Sequence, residues 1–436
     1  MRPALFPSRE KPTLYRRIIR AGGEPLKLIK TDDDGKGGPE DVTVEFREEP
    51  LGISMEHGFG YAELDLGLVL GNRYEIRRKL GWGMNTSVWL AWDLEEDRYV
   101  SVKVLTMRTT ELAARDVVQE LDVLKRLSSP NTYNRRRRRH GPKRLSSPTS
   151  SEMLHFAATT HCMPLFDYFF TPDTSARNTD IWKRITRDVL RGLAYAHKHG
   201  IAHTDLKPSN ILIDANSKSA VDIDTLLAND PSRKHPRERT IPPDRWVQAV
   251  VSQPLPLPSP QEVMTGAFIL ADFGSAQFVD SQSMNDITPL TLRAPEIVLR
   301  GPWNEKVDIW TVGCLVCEFL TGSKLFTRGD EDEHADVLHL QQMLCFSGER
   351  FKQSQLEGNK KASELINPET GLLAGYPPPR RIPIIKRIAA FREGSQPEEL
   401  QGPAALIERC LRLDPSDRST AQELLDDPWL SSAEPV

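Results

Sequence analysis

His203-Thr204-Asp205-Leu206-Lys207-Pro208-Ser209-Asn210 is the stretch that decides how this chain is read. Its polar residues are spaced so that a carboxylate, an amine and an amide converge on one centre. Asp205 is placed to accept, or orient, the proton of an attacking hydroxyl. Asn210, five residues on, offers an amide oxygen to a metal ion. Lys207 lies between them and would offset negative charge developing on a transferred group. Pro208 stiffens the turn that lets both ends face the same point.

Composition bounds the rest. The chain has 436 residues, enough for a two-lobed domain with tails, and a net charge of −4, which argues against a globally basic nucleic-acid binder. Five cysteines, an odd number, do not suggest a disulfide framework and point to a reducing compartment, cytoplasmic or nuclear. Cys314 and Cys317 stand in an apolar helical run, where buried thiols are expected rather than a redox or zinc pair. No apolar run approaches the roughly 18 residues needed to span a bilayer, so no membrane partner is expected. The Arg-rich start reads as a disordered tail, with a mitochondrial presequence as the alternative.

Outward from the central loop, the chain falls into segments. Residues 1–68 are polar and broken by Gly and Pro; they read as a largely disordered leader, with Gly60 to Leu70 docking on the domain after it. Three β runs come next, at Tyr74–Leu80, Val88–Trp92 and Tyr99–Leu105. Between the first two lies Gly81-Trp82-Gly83-Met84-Asn85-Thr86-Ser87-Val88, whose glycines allow close approach of backbone to phosphate oxygens. Lys103, on the third strand, would reach the α- and β-phosphates. A helix over Glu111–Leu127, with Val117, Leu121 and Leu124 near its inner face, carries Glu120 to pair with Lys103. Residues 128–152, with the Arg135–Arg139 run, form a low-complexity basic insertion, either a nuclear-import patch or a contact for acidic partners. His161–Phe170 reads as a strand and Ile181–His199 as a helix, with Ile185, Val189, Leu193 and Ala196 on one face. Ile211-Leu212-Ile213 is the next strand. Residues 214–262 form a Pro- and Ser-rich surface insertion. Then come Ala267–Leu270, Asp272-Phe273-Gly274, Ala294-Pro295-Glu296, and the apolar helix opened by Asp308. Arg418 is the expected buried partner of Glu296.

These motifs, in this order over residues 70–430, resemble the eukaryotic protein kinases. Leu80-Gly81-Trp82-Gly83 with Val88-Trp89-Leu90, Thr204 inside H-x-D, and the long insertion before Asp272 resemble the SR-protein kinases, with the LAMMER kinases as near relatives. The resemblance implies an α+β fold of two lobes. Residues 69–178 would be a small β-rich lobe with one main helix, and residues 179–432 a larger, mostly helical lobe. It implies a serine/threonine phosphotransferase using ATP and Mg²⁺, working as a monomer on protein substrates, Arg-Ser-rich splicing factors among them. Asp205, Lys207, Lys103 and Glu120 would be catalytic. Leu80, Gly81, Gly83, Val88, Lys103 and Leu212 would hold the nucleotide, and Asn210 and Asp272 the metal. Thr204 stands where the usual arginine pairs with a phosphate on the activation segment, so activity should not depend on phosphorylation between Asp272 and Glu296.

Two departures stand out. Leu290 occupies a position where the wider group usually has arginine, which bears on substrate preference just past the phosphosite. Only about ten residues, Thr171–Asp180, separate Phe170 from the next helix, where the family places a strand and hinge of on the order of thirty. Either a coding segment is missing, or His161–Phe170 serves as the hinge, or ATP is bound poorly. The last case would make the chain a pseudokinase, a binding or scaffold module without turnover.

Overall fold

Alternation of side chains along Val88–Trp92 and Tyr99–Leu105 sets the first half of the architecture, because successive residues of a strand face opposite sides. A computed structural model describes residues 14–18, 26–31, 44–46, 48–53, 60–128, 163–164, 179–214, 219–240, 245–327, 335–357, 359–392 and 394–431. The Arg135–Arg139 run and the short segment 171–178 lie outside the described residues. The chain divides into two compact units. The first takes residues up to Leu112 together with Ser219–Leu255; the second takes its described residues from Ala113 onward, apart from that insertion.

In the first unit the leader carries three antiparallel strands, β1 (Leu14–Ile18), β2 (Leu26–Thr31) and β3 (Val44–Phe46). The main sheet comes next, in the order β4 (Val69–Leu70), β5 (Tyr74–Gly83), β6 (Thr86–Asp93) and β7 (Arg98–Leu105), all antiparallel. On one face Ile76, Trp89, Ala91, Val100, Val102 and Val104 form a core with Leu70 and Val250. On the other, Leu90 and Tyr99 pack with Ile223. Val250 and Ile223 belong to the insertion expected to be a surface excursion of the larger lobe. It folds instead with the sheet, and supplies side chains to both of its cores.

The described end of the leader contributes buried side chains to this unit. Glu48 and Glu49 are buried and salt-bridge Lys79, which is fully buried. Ser252 of the insertion donates to Glu48 through N (2.7 Å) and Oγ (2.6 Å). Burial pulls the Lys79 ammonium down to about 8, against the opposing effect of Glu48. Leu51, Ile53 and Tyr61 make a small apolar cluster beside Trp82.

The second unit is mostly helical. Its helix Thr179–Lys198 buries Ile185, Val189, Leu193 and Ala196, the face read from the sequence. The central helix Lys306–Thr321 buries nearly all of its residues. Gly313 is required where that helix meets Pro397–Cys410, since a Cβ there would lie 2.7 Å from Cys410 Cβ. Cys314, Cys317 and Cys410 are buried free thiols, and burial raises Cys317 to about 11 and Cys410 to about 12.

The helix expected over Glu111–Leu127 is two helices, Met107–Ala114 and Glu120–Ser128. The break contains Asp116 at φ 58°, with two valines directly after it. Left-handed backbone ends a helix, and β-branched residues do not favour restarting one at once. The inner face shifts accordingly: Val123 is fully buried and Leu121 is exposed. Of His161–Phe170, Met163–Pro164 is described, as a short strand paired with Leu212–Ile213.

Candidate active site

Strand pairing places the ends of the key loop. Ile211–Asp214 runs antiparallel to Ala267–Leu270, with Ile211 opposite Leu270, and Ala271 N donates to Asn210 O at 2.8 Å. Asn210 and Asp272 therefore leave one end of the same strand pair, although the whole insertion separates them in sequence.

The loop before that pair is held from beneath by a fully buried carboxylate. Asp308, on the first turn of the central helix, accepts from His203 N (2.8 Å) and Thr204 N (2.9 Å) and pairs with His197 Nε2 (2.9 Å). Burial pushes the Asp308 carboxyl up, but these donors and the nearby imidazoles outweigh it and hold it below the usual carboxylate range. Thr204 is left-handed at φ 62°, an unusual state for a β-branched residue. Its hydroxyl donates to Ser275 O at 2.6 Å and its carbonyl accepts from Thr288 N at 3.0 Å. The position that lacks arginine is thus tied directly to two points of the segment after Asp272.

On this support the reactive groups converge. Lys207 Nζ donates to Asp205 Oδ2 at 2.7 Å. Asn210 Nδ2 donates to Asp205 O at 2.8 Å and Oδ2 at 3.2 Å. With its amide nitrogen so engaged, Asn210 presents Oδ1 as its acceptor. Asp272 is exposed, and its Oδ1 accepts from Gly274 N at 3.3 Å. An amide oxygen and a carboxylate are hard donors suited to Mg²⁺, which typically takes one or two protein carboxylates and completes its shell with phosphate and water. Among the described residues no group of three or more His, Cys, Asp or Glu could hold a metal ion. Leu212 is half-buried on the same strand pair.

The segment after Asp272 is fastened by side-chain amides. Gln277, buried, accepts from Ser283 N (2.7 Å) and Met284 N (3.0 Å) and donates to Met284 O. Gln119 accepts from Phe278 N (3.0 Å) and donates to Ser281 O (3.0 Å). At its end Glu296 meets Arg418 in a buried two-pronged pair, both contacts 2.6 Å. The glutamines were missed in the sequence, where nothing distinguishes them from solvated polar residues.

In the first unit Gly81 and Gly83 lie on β5 opposite Val88 and Thr86. A Cβ added at either would meet nothing within 4 Å, so the protein's own packing does not demand glycine there. Close approach by a ligand does give a reason. The hairpin tip is fixed by Tyr61, whose hydroxyl lies 2.7 Å from Gly83 O and 2.9 Å from Met84 O. Lys103 sits on β7 directly across from Val88. Leu80 packs into the cluster containing Ile223. Glu120, the first residue of its helix and buried, belongs to the second unit, whereas Lys103 belongs to the first.

A family model described as the protein kinase domain matches residues 74–228 and 261–430. The chain is 28% identical over 415 residues to a serine/threonine protein kinase of Aspergillus fumigatus, covering 89% of this chain and 92% of that one. It is 25% identical over 421 residues to the serine/threonine-protein kinase SRPK of Physarum polycephalum, with 89% and 93% covered. A crystal structure of a kinase domain shares its fold, with a TM-score of 0.54 at 22% identity, covering 85% of this chain and 98% of that one. No described helix is long and apolar enough to cross a membrane.

Proposed function

This chain belongs to the protein kinase family and is a serine/threonine kinase, and from that premise we propose that it transfers the γ-phosphoryl group of ATP to serine or threonine hydroxyls of protein substrates. The observation that carries the reading is the Asp205–Lys207–Asn210 constellation, held by buried Asp308. In the proposed step a substrate oxygen bonds to the γ-phosphorus as the bond to ADP breaks, and the hydroxyl proton passes to Asp205. Lys207 keeps that carboxylate in place and offsets charge on the phosphoryl oxygens. Gly81 and Gly83 admit the phosphates to the backbone, and Lys103 contacts the α- and β-phosphates. Leu80 and Val88 take the adenine. Mg²⁺, when bound through Asn210 and Asp272, neutralises phosphate charge. Catalysis is then mostly positioning and charge stabilisation.

The substrates we propose are Arg-Ser-rich proteins, supported by the similarity to the Physarum SRPK and by the Leu80–Gly83, Val88–Leu90 and Thr204 motifs. The enzyme would act as a monomer in the cytoplasm or nucleus. Transfer of labelled phosphate from Mg·ATP to an Arg-Ser-repeat peptide, with Asp205→Asn beside the unaltered chain, tests this. Transfer lost in the variant supports the enzyme. Nucleotide-dependent thermal stabilisation without transfer, in folded protein, would sink it in favour of a binding module.

A further inference from the structure

The insertion helix Ala220–Asn229 lies on the face of the sheet that carries Lys103. β6 and β7 pair in unbroken register from Thr86 opposite Leu105 to Asp93 opposite Arg98. Val88, Leu90 and Trp92 therefore share a face with Tyr99, Ser101 and Lys103, while Trp89, Ala91, Val100 and Val102 line the other. Leu90, Trp92 and Tyr99 pack against Ala220, Ile223 and Leu227 of the helix, and Leu80 packs into the same cluster. Tyr99 Oη donates to Asp224 Oδ1 at 2.5 Å. The helix is well started, with a reciprocal cap between Ser219 and Asp222, yet Ile223 is its one buried residue. A ten-residue helix is marginal without its packing. The chain beyond the helix is secured more firmly: Gln253 N donates to Lys79 O at 2.9 Å, and Ser252 is bonded to Glu48. The insertion thus has a fixed arm and a helix tied at its C-cap, where buried Arg78 and Gln253 donate to Asp230, while the helix body rests on the sheet through one buried side chain, Ile223, and the Tyr99 hydrogen bond.

We propose that the helix 220–229 is a displaceable autoinhibitory cover over the apolar end of the nucleotide face, competing with the purine for Leu80. The proposal rests on the reading of Leu80, Val88 and Lys103 as nucleotide contacts. Apparent affinity falls by the fraction of molecules with the cover open, so a cover closed nine-tenths of the time weakens binding about tenfold. Only the purine part of the ligand meets the cover, and the phosphates do not.

The test is titration of the full chain with a fluorescent ADP analogue and Mg²⁺, then competition with adenosine and with inorganic tripolyphosphate. Ile223→Ala/Leu227→Ala should tighten the analogue and adenosine about tenfold and leave tripolyphosphate unchanged. Tyr99→Phe removes one hydrogen bond with little change of shape, and should tighten them about threefold even if the double variant folds poorly. Variants that melt cooperatively and bind all three ligands within about twofold of the unaltered chain, or more weakly, overturn the cover and leave the nucleotide site standing. Failure of every version to bind the analogue overturns the site reading, and the cover with it.

Discussion

Removing Arg418 or Glu296 should destabilise the second unit by more than any single exposed ion pair could. Arg418 is 2% exposed and Glu296 8%. Besides its two contacts to Glu296, Arg418 donates to Arg412 O (2.8 Å), Lys306 O (3.1 Å) and Leu413 O (3.3 Å), and it lies over the Trp310 ring at 5.2 Å. Glu296→Ala leaves that cation buried with carbonyls alone for partners, a cost of about 3–5 kcal/mol. Arg418→Ala strands the carboxylate and also frees three carbonyls, so its cost should sit at the upper end of that range or above. Glu296→Leu with Arg418→Met removes both charges and refills the volume. That double variant should cost no more than either single one, a coupling of about 3 kcal/mol. Urea unfolding monitored by tryptophan fluorescence reads the shift directly. At a slope of about 2 kcal/mol per molar, the single variants should lose about 2 M in midpoint. Single variants costing under about 1 kcal/mol, or strictly additive ones, would refute the argument that this is a desolvated, interdependent pair.

Three other perturbations probe the same geometry. Lys79→Met strips buried Glu48 and Glu49 of their counter-ion and should cost about 3–5 kcal/mol at pH 7; the defect should shrink towards pH 4 as the carboxylates take up protons, and a defect independent of pH in urea melts would count against it. Asp308 has a depressed folded pKa, so its contribution is present above the ordinary carboxylate pKa and is lost as pH falls through the lower folded value. Asp308→Asn should therefore flatten the acid limb of a stability–pH curve and lower kcat at least about tenfold by loosening the loop that bears Asp205; an unchanged acid limb would contradict this. Glutamate at Ser281, Ser283 or Thr288 should leave turnover within about twofold of the parent, because Gln119, Gln277 and Thr204 already fasten the segment that a phosphate would order elsewhere. A large rate increase in the peptide assay would show that the segment awaits phosphorylation.

The site was readable because its chemistry is local. Asp205, Lys207 and Asn210 lie within six residues and are hydrogen-bonded to one another on a loop whose backbone Asp308 holds. The same holds for the helix Thr179–Lys198, whose buried face repeats at the helical period. Arg418 and Glu296 were paired from motif order, 122 residues apart, and are found joined. What failed to show is what depends on distant or sparse contacts. The insertion's Pro- and Ser-rich composition signals a loop, and its two buried apolar residues in the sheet's cores, Ile223 and Val250, stand far apart in sequence and make no period. Tyr61 and the two glutamines act on backbone groups, which carry no residue identity and leave no trace in a sequence. The break at Asp116 did leave a trace, an aspartate before two valines, that an amphipathic count of the surrounding residues overrode.

The insertion also bears on the order in which the protein is made. A ribosome delivers residues in sequence, and the N-terminal unit would ordinarily fold first. Here its sheet is complete by Leu105, yet Val250 belongs to one of its cores, Ile223 and Leu255 pack into the other, and Ser252 closes over Glu48. The two cores of the sheet are complete only after residues 113–147 and 161–218 of the second unit have been translated. The two units are therefore coupled in biosynthesis: the earlier one is finished by residues translated after His203–Asn210.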